Sequence, residues 1–172
     1  MHGPEDTYQS YGYGWANASN TPYRLFKQFD HEGGIRTPMI AHWPRGIDQP
    51  GRLVESVSHL VDVLPTLLEI TEVEPADKRT IPLDGQSLAA AFKGNDPTDE
   101  RTLFFHHARG KALRAGDWKI VASERGPWEL YNLREDPLEL NNRAKDLPDK
   151  ASELIERWNA ESQRHSRQAK RN

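Results

Sequence analysis

Between Leu103 and Tyr131 the hydrophobic positions fall into four short runs: Leu103-Phe104-Phe105-His106-His107, Lys111-Ala112-Leu113-Arg114, Trp118-Lys119-Ile120-Val121-Ala122 and Trp128-Glu129-Leu130-Tyr131. Turn residues separate them at Arg109-Gly110, Ala115-Gly116-Asp117 and Arg125-Gly126-Pro127. Short apolar and aromatic runs broken at this spacing predict an antiparallel meander. From Pro148 to Ser166 the period lengthens, and Ala151, Leu154, Ile155 and Trp158 share one face of a predicted amphipathic helix. The second half therefore reads as a four-stranded antiparallel sheet packed by a C-terminal helix, an α+β unit.

The first half is less regular. Residues 1–20 are rich in Gly, Tyr, Ser and Asn without a helical period, and read as loop. Pro38 to Trp43 is a short, mostly apolar run that predicts a buried strand, ended by Pro44-Arg45-Gly46. Val57 to Val61 predicts a second short strand or an approach segment. After it Leu64, Leu67, Leu68 and Ile70 recur at helical spacing, with Asp62 as the expected N-cap and Pro65 in the first turn. Leu88, Ala89 and Phe92 mark a further short helix, stopped by Gly94. A lone strand needs partners that this stretch does not offer. Residues 1–95 thus read as the tail of a larger, incomplete α/β domain, and residues 96–172 as a small subdomain. Starting deep in loop, the chain is expected to be cut from an upstream half.

Composition narrows the function classes. A net charge of -3 gives no general attraction for nucleic acid, and the basic stretch from Arg164 to Arg171 reads as a solvated helix end. With no cysteine, the chain offers neither a disulfide framework nor a thiolate nucleophile. No stretch approaches the roughly 20 apolar residues of a membrane span. Five tryptophans in a chain that is 28% charged argue for a packed fold over disorder.

Several phrases in order along the chain resemble the sulfatase family, most closely its bacterial arylsulfatase branch. They are Trp15 to Lys27, His31-Glu32-Gly33-Gly34-Ile35-Arg36-Thr37-Pro38 running into Ala41-His42-Trp43-Pro44, Asp62-Val63-Leu64-Pro65-Thr66, and Leu83-Asp84-Gly85-Gln86-Ser87-Leu88. Then follow Ala112-Leu113-Arg114, Gly116-Asp117-Trp118-Lys119, Trp128 to Leu133, Asp136-Pro137 and Asn141-Asn142. The resemblance implies an alkaline-phosphatase-like α/β domain whose tail precedes a small C-terminal sheet. It also implies calcium as cofactor, with ligands mostly upstream, and a nucleophile made by oxidising the Cys or Ser of a C/S-x-P-x-R motif to formylglycine. That motif is absent from this chain. The implied partners are a sulfate-ester small molecule or glycan and a missing N-terminal sulfatase portion. The full-length parent is expected to be periplasmic or extracellular.

Sulfate-ester hydrolysis needs a nucleophile, a cation to gather the sulfate oxygens, and charge stabilisation at the departing oxygen. Lys27 is the candidate catalytic residue. It stands five residues before Glu32, where the family places a lysine that contacts the sulfate, and an ammonium donates several hydrogen bonds to such a group. Glu32 and Arg36 are expected to form an internal ion pair, with Gly33-Gly34 giving a turn or close backbone approach. His107 is a candidate substrate contact, with packing or surface exposure as the alternative. In relatives a His at its position is often followed by Glu-Gly-Asn-Arg, which Ala108-Arg109-Gly110-Lys111 replaces here.

His31 and His59 read as facing the cleft or, more commonly for such residues, as structural, and Arg114 and Lys119 as cross-strand surface charges. Trp43, Trp118, Trp128 and Trp158 read as core, while Trp15 either lines the cleft or covers the lysine loop. Asn17-Ala18-Ser19 is a glycosylation sequon, meaningful only in a eukaryotic secretory protein. Two other functional readings stand beside the hydrolase: a non-catalytic remnant or accessory domain, and a phosphodiesterase-like relative.

Overall fold

The computed structural model describes residues 4, 6, 12–74, 83–96, 100–107 and 110–169. Four strands, β1 (Thr102–His107), β2 (Gly110–Ala115), β3 (Trp118–Ser123) and β4 (Glu129–Asn132), form one antiparallel sheet in sequence order. The register sets Leu113 opposite Ile120, and Ile120 opposite Leu130. Because side chains alternate across a strand, these three share a face. On that face α5 (Pro148–Ala169) buries Ala151, Leu154 and Trp158. The other face carries Ala112, Val121 and Tyr131, a second apolar cluster with Leu133. The meander and its helix thus appear where the hydrophobic pattern puts them. Ala108 and Arg109, where the first turn is expected, and Lys170 and Arg171, at the end of the basic stretch, lie outside the described residues.

Trp158 joins the layers. Its ring stacks on Phe104 at 5.5 Å and meets Trp128 edge-on at 5.6 Å, while its indole N–H donates to the Phe105 carbonyl at 3.2 Å. The ammonium of Lys111 lies 4.6 Å from the Trp128 ring centre, a cation–π contact over the same aromatic group.

The chain divides into two compact units, residues 1–37 with 102–172 and residues 38–101. That differs from the expected division at residue 95. The physical reason is a set of buried charges, described below, that fastens the segment 24–36 to the sheet. Within the first unit, α1 (Gly12–Ser19) replaces the expected loop. Its polar residues turn inward on the helix: the Ser19 hydroxyl donates to the Trp15 carbonyl and the Asn20 amide to that of Ala16. Such residues read as loop because they compete with the backbone, and here they support it instead.

In the second unit the expected strands at 38–43 and 57–61 do not form. Residues 38–43 have no ladder partner among the described residues, and Met39 and Ile40 are exposed, Ile40 at 91%. Leu60–Asp62 is a 3-10 turn leading into α3 (Val63–Thr71). Asp62 is not the side-chain cap of α3. Fully buried, its carboxylate accepts from the backbone N–H of His59 and Gln86 and takes both ends of the Arg101 guanidinium at 2.5 and 2.9 Å. Burial alone would raise the Asp62 carboxyl; the guanidinium and the two N–H donors outweigh it and hold the group below its usual range. The helix α4 (Ala89–Phe92) joins α3 through Thr66, whose hydroxyl accepts from the Leu88 N–H at 2.8 Å. Trp43 packs edge-on against Phe92.

Unpaired backbone gives an expected exchange pattern. Amide hydrogen exchange of the chain should be slowest in residues 102–132 and 150–160 and fast at 38–43, because only the former have ladder or helical partners. Slow, cooperative exchange across 38–43 in a monomer would contradict this.

Candidate functional site

The two site candidates come from the sheet face opposite α5. Lys27 is exposed on the loop joining α1 to α2 (Glu32–Ile35). The backbone on either side of it is unusual: Leu25 has φ 65° and Gln28 φ 104°, a region that side chains with a Cβ seldom occupy. Aromatic contacts brace the loop, with Phe26 edge-on to both Tyr13 and Phe29 at 5.2 and 5.3 Å.

The glycine pair explains how the loop closes. A Cβ on Gly33 would collide with the carbonyls of Arg24 and Leu25, and one on Gly34 with those of Phe26 and Phe29. The expected close approach is therefore real, and backbone atoms are the ones approaching. The expected Glu32–Arg36 pair also forms, at 3.7 Å, with Arg36 lying over the Tyr23 ring.

Lys119 corrects its sequence reading as a surface charge. It is wholly buried, with Nζ 2.8 Å from Glu32 Oε1 and 2.8 Å from Glu139 Oε1. The Glu139 oxygen stands at ion-pair distance but off the line that a hydrogen bond needs. The other oxygen of Glu139 accepts from the Glu32 N–H at 2.9 Å, at the start of α2. Glu139 itself has φ 57° and no exposed surface. One signal for Lys119 was available: it shares a strand face with Val121 and stands opposite Tyr131, so it faces the apolar cluster. Nothing in the sequence pointed to Glu139. Arg114, the other expected surface charge, is half-buried and donates to the Gly116 carbonyl.

A second group lies beside the first. Arg24 donates to the Tyr131 hydroxyl at 3.0 Å and to the Glu139 carbonyl at 2.9 Å. Glu129 accepts from Tyr131 at 2.5 Å and lies 3.2 Å from the buried His31 Nε2. The His31 bond, then that of Tyr131, overcomes burial and holds the Glu129 carboxyl down at about 2. Burial and the bond to Glu129 push the Tyr131 hydroxyl far up. His31 is thus structural, as is His59, whose ring accepts from the Val61 N–H.

His107 ends edge strand β1 and is exposed. Asp30, three residues after Lys27, lies against Gly110 at the start of β2. Burial raises the Asp30 carboxyl, opposed first by the charge of His107 and then by that of Lys119. Asp30, at the end of the Lys27 loop, thus lies against Gly110, the register partner of His107. Trp15 is 72% exposed on α1. Trp118, Trp128 and Trp158 belong to the helix-side core. Among the described residues no three His, Asp or Glu stand together as a metal would require. The calcium expected for the family does not find a complete site in them. No described helix is long and apolar enough to cross a membrane.

Comparison with known proteins places the chain in a family. Residues 22–166 match the family model described as N-sulphoglucosamine sulphohydrolase, C-terminal. An uncharacterized sulfatase of Schizosaccharomyces pombe is 38% identical over 159 residues, covering 86% of this chain and 28% of that protein. The arylsulfatase of Klebsiella aerogenes is 38% identical over 93 residues, 51% of this chain and 20% of that protein. The solved structure of Ps i-CgsB superposes with a TM-score of 0.72 at 24% identity, over 83% of this chain and 32% of that one, a likeness in fold. The chain thus spans between 20% and 32% of the length of these relatives. On the family match and the shared alkaline-phosphatase-like fold, the chain belongs to the sulfatase family and corresponds to its C-terminal region.

Proposed function

We propose that this chain is the C-terminal portion of a sulfuric-ester hydrolase of arylsulfatase type, and that it contributes Lys27 as a contact to the sulfate group. The observation that carries the reading is the Lys27 loop itself. It presents an exposed ammonium from a backbone fixed at both ends, five residues before a buried Glu32. An ammonium held in place donates to a sulfuryl oxygen and offsets charge building on the leaving oxygen, without reorganising during the reaction. His107 supplies a second, weaker contact to the same anion. The nucleophile comes from outside these residues, since they hold no C/S-x-P-x-R motif. Calcium, as cofactor of the assembled enzyme, would likewise take its ligands elsewhere. The substrate is a sulfate ester of a small molecule or glycan; the Klebsiella relative's name favours an aryl ester.

Complementation tests this. The purified chain is expected to leave a chromogenic aryl sulfate unhydrolysed, with or without calcium. Fusion to the N-terminal portion of a family relative carrying formylglycine is expected to give turnover. Hydrolysis by the chain alone that persists through purification, or a folded fusion with none, would overturn the proposal.

A further inference from the structure

Lys119 is the least expected charge in the molecule. Its ammonium has no exposed surface, and both of its partners, Glu32 and Glu139, are buried. A buried ion group of this kind is weak evidence for stability, because a well-packed apolar replacement often does as well. What charges add is geometry: they fix a register that apolar contact leaves free to slip. Two of the three charges, Lys119 on β3 and Glu139 after β4, belong to the sheet side. The third, Glu32, belongs to the lysine loop.

The other end of the loop is fixed to the same supports. Arg24 donates to the Tyr131 hydroxyl, opposite Lys119 in the register, and to the carbonyl of Glu139. Glu139 therefore receives one end of the loop on its carbonyl and the other on its carboxylate. Lys27 stands between these two anchors. With Gly33 and Gly34 letting the carbonyls of residues 24–29 close onto α2, the loop has little room to adopt another path.

We infer that Lys119 is a positioning residue for Lys27: through Glu32, and with Glu139, it holds the 24–36 segment on the sheet so that the site lysine is presented from a fixed loop. The inference rests on the reading of Lys27 as the sulfate contact, but its test needs no substrate. Loop order and sulfate contact can therefore fail separately.

The test is NMR on the intact chain. Lys119→Met leaves Glu139 buried without a counter-charge and Glu32 with Arg36 alone, and is liable to unfold, so Glu32→Gln is the deciding variant: Lys119 keeps Glu139 and the sheet keeps its core. In Glu32→Gln the hydrogen-bonded amides of Phe29, Glu32, Gly34 and Arg36 are expected to exchange about 10- to 100-fold faster, in line with the loss of a charge-assisted bond. The heteronuclear NOE of the Lys27 amide should fall towards that of a mobile loop. Strand amides between Ala112 and Tyr131 should change less than about threefold. A Lys27 amide as ordered in the variant as in the unaltered chain would overturn the inference. So would a loss of protection spread evenly through sheet and helix, which would make the charges a stabiliser of the whole unit.

Discussion

Replacing Lys27 with alanine in the complemented enzyme should lower kcat/KM by about 30- to 1000-fold, the range expected when one charge-assisted contact to the transition state is removed. Two features make this a clean experiment. Lys27 is exposed, so truncation opens no cavity, and its loop is held by Arg24 and Glu32 and not by Lys27 itself. The exchange pattern of strands β1 to β4 should match that of the unaltered chain. Lys27→Arg should recover only part of the loss, because a planar guanidinium cannot place its donors as a compact ammonium does. Catalytic efficiency within about threefold of the unaltered enzyme would remove Lys27 from the site.

The second large effect concerns stability. Trp158→Ala is expected to reduce the unfolding free energy of the sheet unit by about 3–5 kcal/mol, as for other buried aromatic truncations. The substitution removes the stack on Phe104, the edge contact with Trp128 and the donor to the Phe105 carbonyl. Trp158→Phe keeps ring packing but leaves that carbonyl without its donor, and should cost about 1 kcal/mol. Urea unfolding followed by far-UV circular dichroism measures both. A loss below about 1 kcal/mol for Trp158→Ala would mean that α5 is not the cover of this sheet.

The parts of this fold that were legible in the sequence are those whose partners lie close by along the chain. Strands β2 and β3 are short apolar runs, their turn carries Gly and Asp, and α5 shows its apolar face in Ala151, Leu154 and Trp158. Each can be read from a window of a dozen residues. The helix α1 was hidden because Asn17, Ser19 and Asn20 are loop formers by composition, and only their back-bonding to carbonyls four residues earlier reconciles them with a helix. The run at 38–43 has the composition of a buried strand, but strand formation needs a neighbour, and none of the described residues provides one.

The site divides in the same way. Lys27 and the Glu32-Gly33-Gly34 phrase stand out locally. The support beneath them depends on Lys119 and Glu139, residues of types that are usually exposed. Only the alternation of β3 hinted that Lys119 turns inward, and the inward Glu139 depends on an irregular connection with φ 57°.

The distance between these partners also sets an order of events during synthesis. Glu32 precedes Lys119 by 87 residues, so a ribosome adding about 5–20 residues per second delivers the ammonium about 4–17 s after the carboxylate. Throughout that interval Glu32 has only the local Arg36 to pair with, and the buried ammonium is missing. Glu139 follows later still, 107 residues behind Glu32. The lysine loop is translated before its supports and can take its final shape only once β3 and the turn beyond β4 have left the exit tunnel. Slowing or arresting translation between those two points would strand the nascent loop unanchored.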